Sequence, residues 1–138
     1  MKKFTADTLD ITATAEQTGR FAHDMRNFAS IMPEQIEQWQ ADENTCAFNI
    51  KNIGRLSMSR GTVDFPFRFE FPATAESKVK FILVLHYRPN ARKEAKIFFE
   101  IEADINTMME MMARRPLTNF VNLLTQNLKT HLETGTES

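Results

Sequence analysis

Cysteine, tyrosine, tryptophan and glycine are scarce in this sequence of 138 residues, which contains one, one, one and four of them. The single cysteine, Cys46, cannot form an internal disulfide, and this favours a reducing, cytoplasmic location. No apolar run approaches the roughly 20 residues that a membrane-spanning helix needs. Asp7 and Asp10 interrupt the N-terminal segment where a signal peptide would have its apolar core. We therefore expect no signal peptide and no stable membrane insertion.

The chain also lacks an excess of either charge, because 17 Lys and Arg residues face 18 Asp and Glu residues and leave a net charge of -1. Without a positive field, we expect no binding to nucleic acid. The three histidines, His23, His86 and His131, are far apart and have no carboxylate or cysteine at ligand spacing, so we predict no metal site. We find no catalytic motif and no cofactor motif, and an enzyme is the less favoured interpretation.

The first third of the sequence predicts a strand followed by two short helices. Residues 4–13 alternate apolar and polar side chains, as a strand with one buried face does. The apolar residues then recur every three or four positions, which predicts a helix with an N-cap at Thr14, a capping-box partner at Gln17 and an end at Pro33. The segment 33–40, "PEQIEQWQ", predicts a second short helix that the proline begins.

The remainder predicts five consecutive strands and a C-terminal helix over residues 106–132. Phenylalanine occurs 12 times, so we expect an aromatic interior with few internal hydrogen bonds. Consecutive strands with short connections form an antiparallel sheet, and the long helix is the one predicted element that can cover its apolar face. In "FPFRFEF" we place Phe65, Phe67, Phe69 and Phe71 inward. The five strands are "CAFNI", "RLSMSR", "FPFRFEF", "VKFILVLHY" and "AKIFFEIEADI".

Two segments resemble a known superfamily. "MPEQIEQWQADENTCAFNI" (residues 32–50) and "ADINTMMEMMARRPLTNFVNLL" (residues 103–124) are similar to a small, functionally uncharacterised bacterial group of START-like proteins. The order of elements resembles the START/Bet v 1-like (SRPBCC) superfamily. This resemblance implies an α+β helix-grip fold, in which a curved antiparallel sheet of about six strands surrounds a long C-terminal helix. We expect a single START-like domain over 1–138 with a frayed tail from about 133.

The resemblance also implies a function, which is the binding or carrying of a hydrophobic small molecule such as a lipid, an isoprenoid or a polyketide-like compound in an internal cavity. The inward registers and the methionine-rich start of the last helix predict the wall of that cavity. Its predicted ligand-contacting residues are Phe67, Phe69, Phe81, Leu83, Leu85, Phe99, Ile101, Met108, Met112 and Phe120.

Two other functions stay open from the sequence. A cyclase- or aromatase-like enzyme would need polar groups that project into the cavity, where Tyr87 and the ambiguous "RLSMSR" strand are the candidates. A protein-interaction module would instead have a filled core. Ile82, Val84 and Phe98 occupy the solvent register of neighbouring strands, and from them we predict an outer apolar patch that could join a homodimer.

Overall fold

The computed structural model describes residues 1–90 and 94–134. Its elements in chain order are β1 (Lys2–Thr5), β2 (Leu9–Ile11), α1 (Ala15–Ala22), a 3₁₀ helix (Met25–Ser30), β3 (Glu37–Ala41), β4 (Thr45–Ile50), β5 (Gly54–Ser59), β6 (Val63–Asp64), β7 (Arg68–Pro72), β8 (Phe81–Pro89), β9 (Ala95–Ala103) and α2 (Thr107–Glu133). The predicted fraying of the tail concerns residues that lie largely outside this range.

The strands pair antiparallel in two groups. A six-stranded sheet has the order β1-β9-β8-β7-β6, with β2 also paired to β9, and a three-stranded sheet has the order β3-β4-β5. A bridge between Met58 and Ala73 links β5 to the connection after β7. Helix α2 packs against β9, β1 and β2. This arrangement confirms the predicted α+β helix-grip architecture, with a curved sheet against one long helix.

The predicted first strand is split into β1 and β2. Between them, the Ala6 amide donates to the Phe99 carbonyl at 2.9 Å and the Asp7 amide donates to Asn122 Oδ1 at 2.9 Å. Because α2 takes one backbone amide of this segment, the strand leaves the sheet there and then pairs with β9 again. The prediction of one continuous strand over 4–13 was therefore wrong in detail.

The predicted first helix is shorter than its apolar pattern suggests. The capping box at Thr14 and Gln17 is confirmed, with hydrogen bonds of 3.1 and 2.7 Å. Helix α1 nevertheless ends at Ala22, because Asp24 accepts from the Arg26 amide and caps a separate 3₁₀ helix. Both helices still bury apolar residues of the predicted pattern, which include Phe21, Met25 and Phe28.

The predicted second helix, residues 33–40, is a strand. After a turn in which the Ile36 amide donates to the Pro33 carbonyl, β3 pairs with β4. The Trp39 ring stacks on Phe48 at 6.2 Å between centroids. A β-bulge at Gln38, whose φ is 54°, shifts the register of the β3–β4 pairing between Glu37 and Gln40. Pairing with β4 and contact with the core thus outweigh the weak helical propensity of this short segment.

Aromatic side chains fill the interior between the sheet and α2. Phe28 contacts Phe71 at 5.1 Å and Phe99 at 6.3 Å between ring centroids, and Phe48 stacks on Phe120 at 5.5 Å. The void described in this interior is about 10 Å³, which is too small for a ligand. The inward direction predicted for β8 and β9 is confirmed, since these side chains are buried: Phe81, Leu83, Leu85, Phe99 and Ile101.

The phenylalanine strand is shorter than predicted, because β7 begins at Arg68. Residues 65–67 form the turn that links it to β6, and the Phe67 amide donates to the Asp64 carbonyl at 2.7 Å. Phe65 and Phe67 are each 53% exposed, whereas Phe69 and Phe71 are each 2% exposed. The inward placement of the first two rings was therefore wrong.

The methionines at the start of α2 face solvent. Met108, Met111 and Met112 are 72%, 75% and 60% exposed, although we predicted that Met108 and Met112 share the buried stripe. With 3.6 residues per turn, the stripe through Leu117 passes back through Ala113 and reaches the sides of Met109 and Glu110. Met108 lies on the opposite side of the helix, so the methionines do not line the interior.

The outer sheet face does not carry the predicted exposed apolar patch. Val84 is 0% exposed, because acidic residues of β7 and β9 flank it in the sheet. The His86 ring stacks on Phe98 at 4.3 Å, and the Arg88 guanidinium lies 5.7 Å from the Phe98 centroid. Polar side chains thus flank Val84 and cover part of Phe98, while Ile82 lies between Pro72 and Glu102 in the sheet. Homodimerisation through Ile82, Val84 and Phe98 stays a prediction.

Candidate ligand-binding cleft

A cleft of about 520 Å³ lies between α1 and the β5–β7 region, outside the filled interior. Its volume falls in the range of about 300–1,000 Å³ that is typical of small-molecule sites. A more open groove adjoins it and shares Gly19, His23 and Phe65 with it. The cleft is lined by Gly19, Ala22, His23, Asn44, Ser59, Arg60, Gly61, Val63, Phe65, Phe69, Glu70 and Phe71.

One wall of the cleft is aromatic and apolar. Phe69 and Phe71 present their rings from β7, and Phe65 with Val63 adds half-exposed apolar surface from the β6–β7 hairpin. Opposite them, Gly19 lies in the interior of α1, where a Cβ atom would be 3.5 Å from Phe65 Cε1. Because that is ordinary contact distance, packing does not require glycine here. Its effect is to leave room above the aromatic wall.

The other end of the cleft is polar and is built around Arg60, which directly follows β5. Its guanidinium Nη1 donates to the His23 carbonyl at 2.9 Å and lies 3.2 Å from His23 Nδ1. Its Nη2 donates to Asn44 Oδ1, and its backbone amide donates to the Asn44 carbonyl at 3.0 Å. Arg60 therefore holds the C-terminal end of α1 to the β3–β4 turn in a fixed geometry.

The acidic groups near this end are already satisfied. Asp24 forms a two-pronged pair with Arg26, at 2.6 Å from Nη2 to Oδ2, and this pair lowers the Asp24 pKa to about 2. Asp42 accepts from the Thr45 and Asn44 amides at 2.8 Å, which lowers its pKa. Within the described part of the chain, Arg60 forms no salt bridge, although its charge also contributes to the lowered pKa of Asp24.

Gly61 fixes the back of the cleft. A Cβ atom at this position would lie 2.5 Å from Pro72 Cδ and 2.8 Å from the Glu70 carbonyl oxygen. The chain between β5 and β6 therefore approaches β7 more closely than any side chain would allow, and the Glu70 amide donates to the Thr62 carbonyl at 2.9 Å. This close approach brings Arg60 and Phe65 to the same opening.

The ten predicted ligand-contacting residues divide into four groups. Phe69 lines the cleft, Phe81 and Ile101 border the small void, and four residues pack in the core: Leu83, Leu85, Phe99 and Phe120. Three are exposed away from the cleft: Phe67, Met108 and Met112. A ligand-contacting role for those outside the cleft stays a prediction. The sequence signal that we missed is the isolated glycine within a helical pattern, Gly19.

Most of the groups considered for catalysis are occupied elsewhere, although Ser59 of the "RLSMSR" strand lines the cleft. Burial raises the pKa of the Cys46 thiol to about 12, so it is not a reactive thiolate. Tyr87 donates to the Ala13 carbonyl at 2.9 Å, and the Ser57 hydroxyl accepts from Thr74 at 2.6 Å. His86 is bonded to Glu100 at 3.2 Å on the outer sheet face. Among the residues that the structure describes, no three His, Cys, Asp or Glu residues are grouped as a metal site.

No protein-family model and no curated protein sequence matches this chain. Solved structures do match over nearly its full length. A START superfamily protein from Mycobacterium smegmatis has a TM-score of 0.66 at 12% identity, with 97% of this chain and 99% of that chain covered. The chain has a START/Bet v 1-like fold.

Two further START-like structures illustrate the range of proteins with this architecture. Norcoclaurine synthase from Thalictrum flavum, in complex with dopamine and hydroxybenzaldehyde, has a TM-score of 0.67 at 10% identity and covers 99% of this chain and 89% of its own. The Aha1 dimer from Colwellia psychrerythraea has a TM-score of 0.66 at 11% identity and covers 99% of each chain. At these identities the similarity establishes the fold alone.

No helix in the described ranges is long and apolar enough to cross a membrane.

Proposed function

We propose that this protein binds an apolar, ring-containing small molecule in the cleft beside α1 and acts as its carrier or sensor in the cytoplasm. The observation that carries this proposal is Gly19. Glycine inside a helix costs about 1 kcal/mol relative to alanine, and the position has space for an alanine methyl group. A side chain at this position would contact Phe65 and Phe69, so the glycine keeps both rings accessible to a ligand in the cleft.

Binding is favoured over catalysis because of how the polar groups of the cleft are engaged. Arg60 bonds to both His23 and Asn44, an arrangement that positions side chains and supplies no general base held by a carboxylate. A filled-core interaction module would account for the packed interior, but it would leave the cleft and its half-exposed rings without a role. The structure of norcoclaurine synthase, which shares this fold, is in complex with dopamine and hydroxybenzaldehyde, and both are ring-containing small molecules.

The test uses N-phenyl-1-naphthylamine, a neutral aromatic dye whose fluorescence rises in apolar surroundings. Phe65 and Phe67 offer a matched pair of variants, because both are 53% exposed and only Phe65 lines the cleft. We expect saturable binding to the wild type. Phe65→Ala should weaken it by about 10-fold through the lost ring contact, and Phe67→Ala should leave it unchanged. Absence of saturable binding, or equal losses in both variants, would contradict the proposal.

A further inference from the structure

We propose that the ligand of this cleft carries an anionic group, such as a carboxylate, sulfonate or phosphate, and that Arg60 binds it. This inference rests on the proposed function and adds the chemical class of the ligand. The cleft has an apolar wall at one end and a guanidinium at the other, so it is complementary to an amphipathic anion with a ring system rather than to a plain hydrocarbon.

Arg60 is already positioned to receive an anion. Its bonds to the His23 carbonyl and to Asn44 use part of the donor set of a guanidinium, which has five N–H groups in a rigid planar fork. Both partners are neutral, so the guanidinium is held in place without a hydrogen-bonded carboxylate. A bound carboxylate or phosphate would form charge-assisted hydrogen bonds without further ordering of the side chain.

The surrounding charges do not cancel this site. The Glu70 carboxylate accepts from Arg68 Nε at 2.7 Å, and Asp24 is paired with Arg26. The other acidic side chain of the neighbouring groove is Glu16, and Arg20 lies there with it. Because the whole protein has a net charge of only -1, it does not strongly repel an anion.

Three other arginines, Arg55, Arg114 and Arg115, lie away from the apolar wall of the cleft. Arg114 pairs with Glu110 at 2.6 Å, and neither Arg114 nor Arg115 lines the cleft. Arg55, at the other end of β5, bonds the Gln38 carbonyl, Asn49 and Gln40, which are also neutral. It does not line the cleft, and it therefore provides a control that removes the same charge near the opposite end of β5.

The experiment compares two dyes that share one ring system. N-phenyl-1-naphthylamine is neutral, and 8-anilinonaphthalene-1-sulfonate is the same molecule with a sulfonate. We expect the wild type to bind the sulfonate more tightly than the neutral dye. Arg60→Gln should weaken the sulfonate by about 10-fold or more, as the loss of a charge-assisted bond does, and should change the neutral dye by less than about 2-fold. Arg55→Gln should change neither.

The outcomes separate this inference from the proposed function. If both dyes bind the wild type and Arg60→Gln weakens them by the same factor without abolishing binding, or affects neither, the anion assignment is wrong and the binding function stands. If neither dye binds the wild type, both proposals are overturned. If Arg60→Gln abolishes both, because α1 has moved, Arg60→Lys decides. Recovery of the neutral dye, with the sulfonate bound more weakly than by the wild type, supports the anion assignment, and any other result overturns it.

Discussion

Gly19 and Gly61 both border the cleft but differ in the space around them. A Cβ atom at Gly19 would be in ordinary contact with Phe65, whereas one at Gly61 would overlap Pro72 and the Glu70 carbonyl. We predict that Gly19→Ala raises the free energy of unfolding by about 1 kcal/mol, because alanine is the better helix former. Gly61→Ala should lower it by about 1–3 kcal/mol. Urea denaturation of both variants tests this contrast.

The Gly19→Ala variant also tests whether a ligand uses the cleft. Gly19→Ala should narrow the space above Phe65 and weaken the neutral dye while it stabilises the protein. A variant that is more stable and binds equally well would show that the glycine does not serve the ligand. If Gly19→Ala destabilises instead, the 3.5 Å clearance to Phe65 was not available in solution.

At the scale of elements, alternation was a reliable guide where a strand is paired on both sides. Strands β8 and β9 have neighbours along both edges, so period-two patterning fixes which side chains are buried. It failed at the turn around Phe65 and Phe67, where the chain leaves the sheet. The short segment that became β3 carries two apolar residues at helical spacing, and its pairing with β4 depends on residues that are distant in sequence.

The outer face joins three strands through one hydrogen-bonded group. Thr5 of β1 donates to Glu100 of β9 at 2.8 Å, and His86 of β8 bonds the same carboxylate at 3.2 Å. Burial lowers the pKa of His86 below 6.5, more than the bond to Glu100 raises it. Burial alone would raise the Glu100 pKa, but the bonds from Thr5 and His86 lower it overall.

This group predicts a specific dependence of stability on pH. Because His86 binds a proton less readily in the folded state, its contribution is complete above pH 6.5 and declines as pH falls through the lowered pKa. Glu100 adds a decline below pH 4.5. We expect the free energy of unfolding to fall between about pH 7 and pH 5, and to fall less in His86→Gln. Equal slopes in urea titrations over this range would contradict the assignment.

At the scale of the whole molecule, the order of the predicted elements was sufficient to predict the fold. It was not sufficient to predict where the candidate site lies. An antiparallel sheet and one long helix have few ways to pack, so strand and helix assignments that were partly wrong still led to the right architecture. The location of empty space depends on side-chain volumes. Phe28, Phe48 and Phe120 pack in the interior, and a cleft of about 520 Å³ lies beside α1.

Because the core and the cleft are separate, we predict that stability and dye affinity can be changed independently of each other. Phe120 stacks on Phe48 inside the protein and does not line the cleft, so Phe120→Leu should lower the free energy of unfolding by about 1–2 kcal/mol and leave dye affinity unchanged. Phe65→Ala should weaken dye binding and leave the free energy of unfolding nearly unchanged, because the Phe65 ring is half exposed. Denaturation and dye titration of both variants check this. A loss of affinity in Phe120→Leu would instead favour a ligand between the sheet and α2, where the sequence first predicted one.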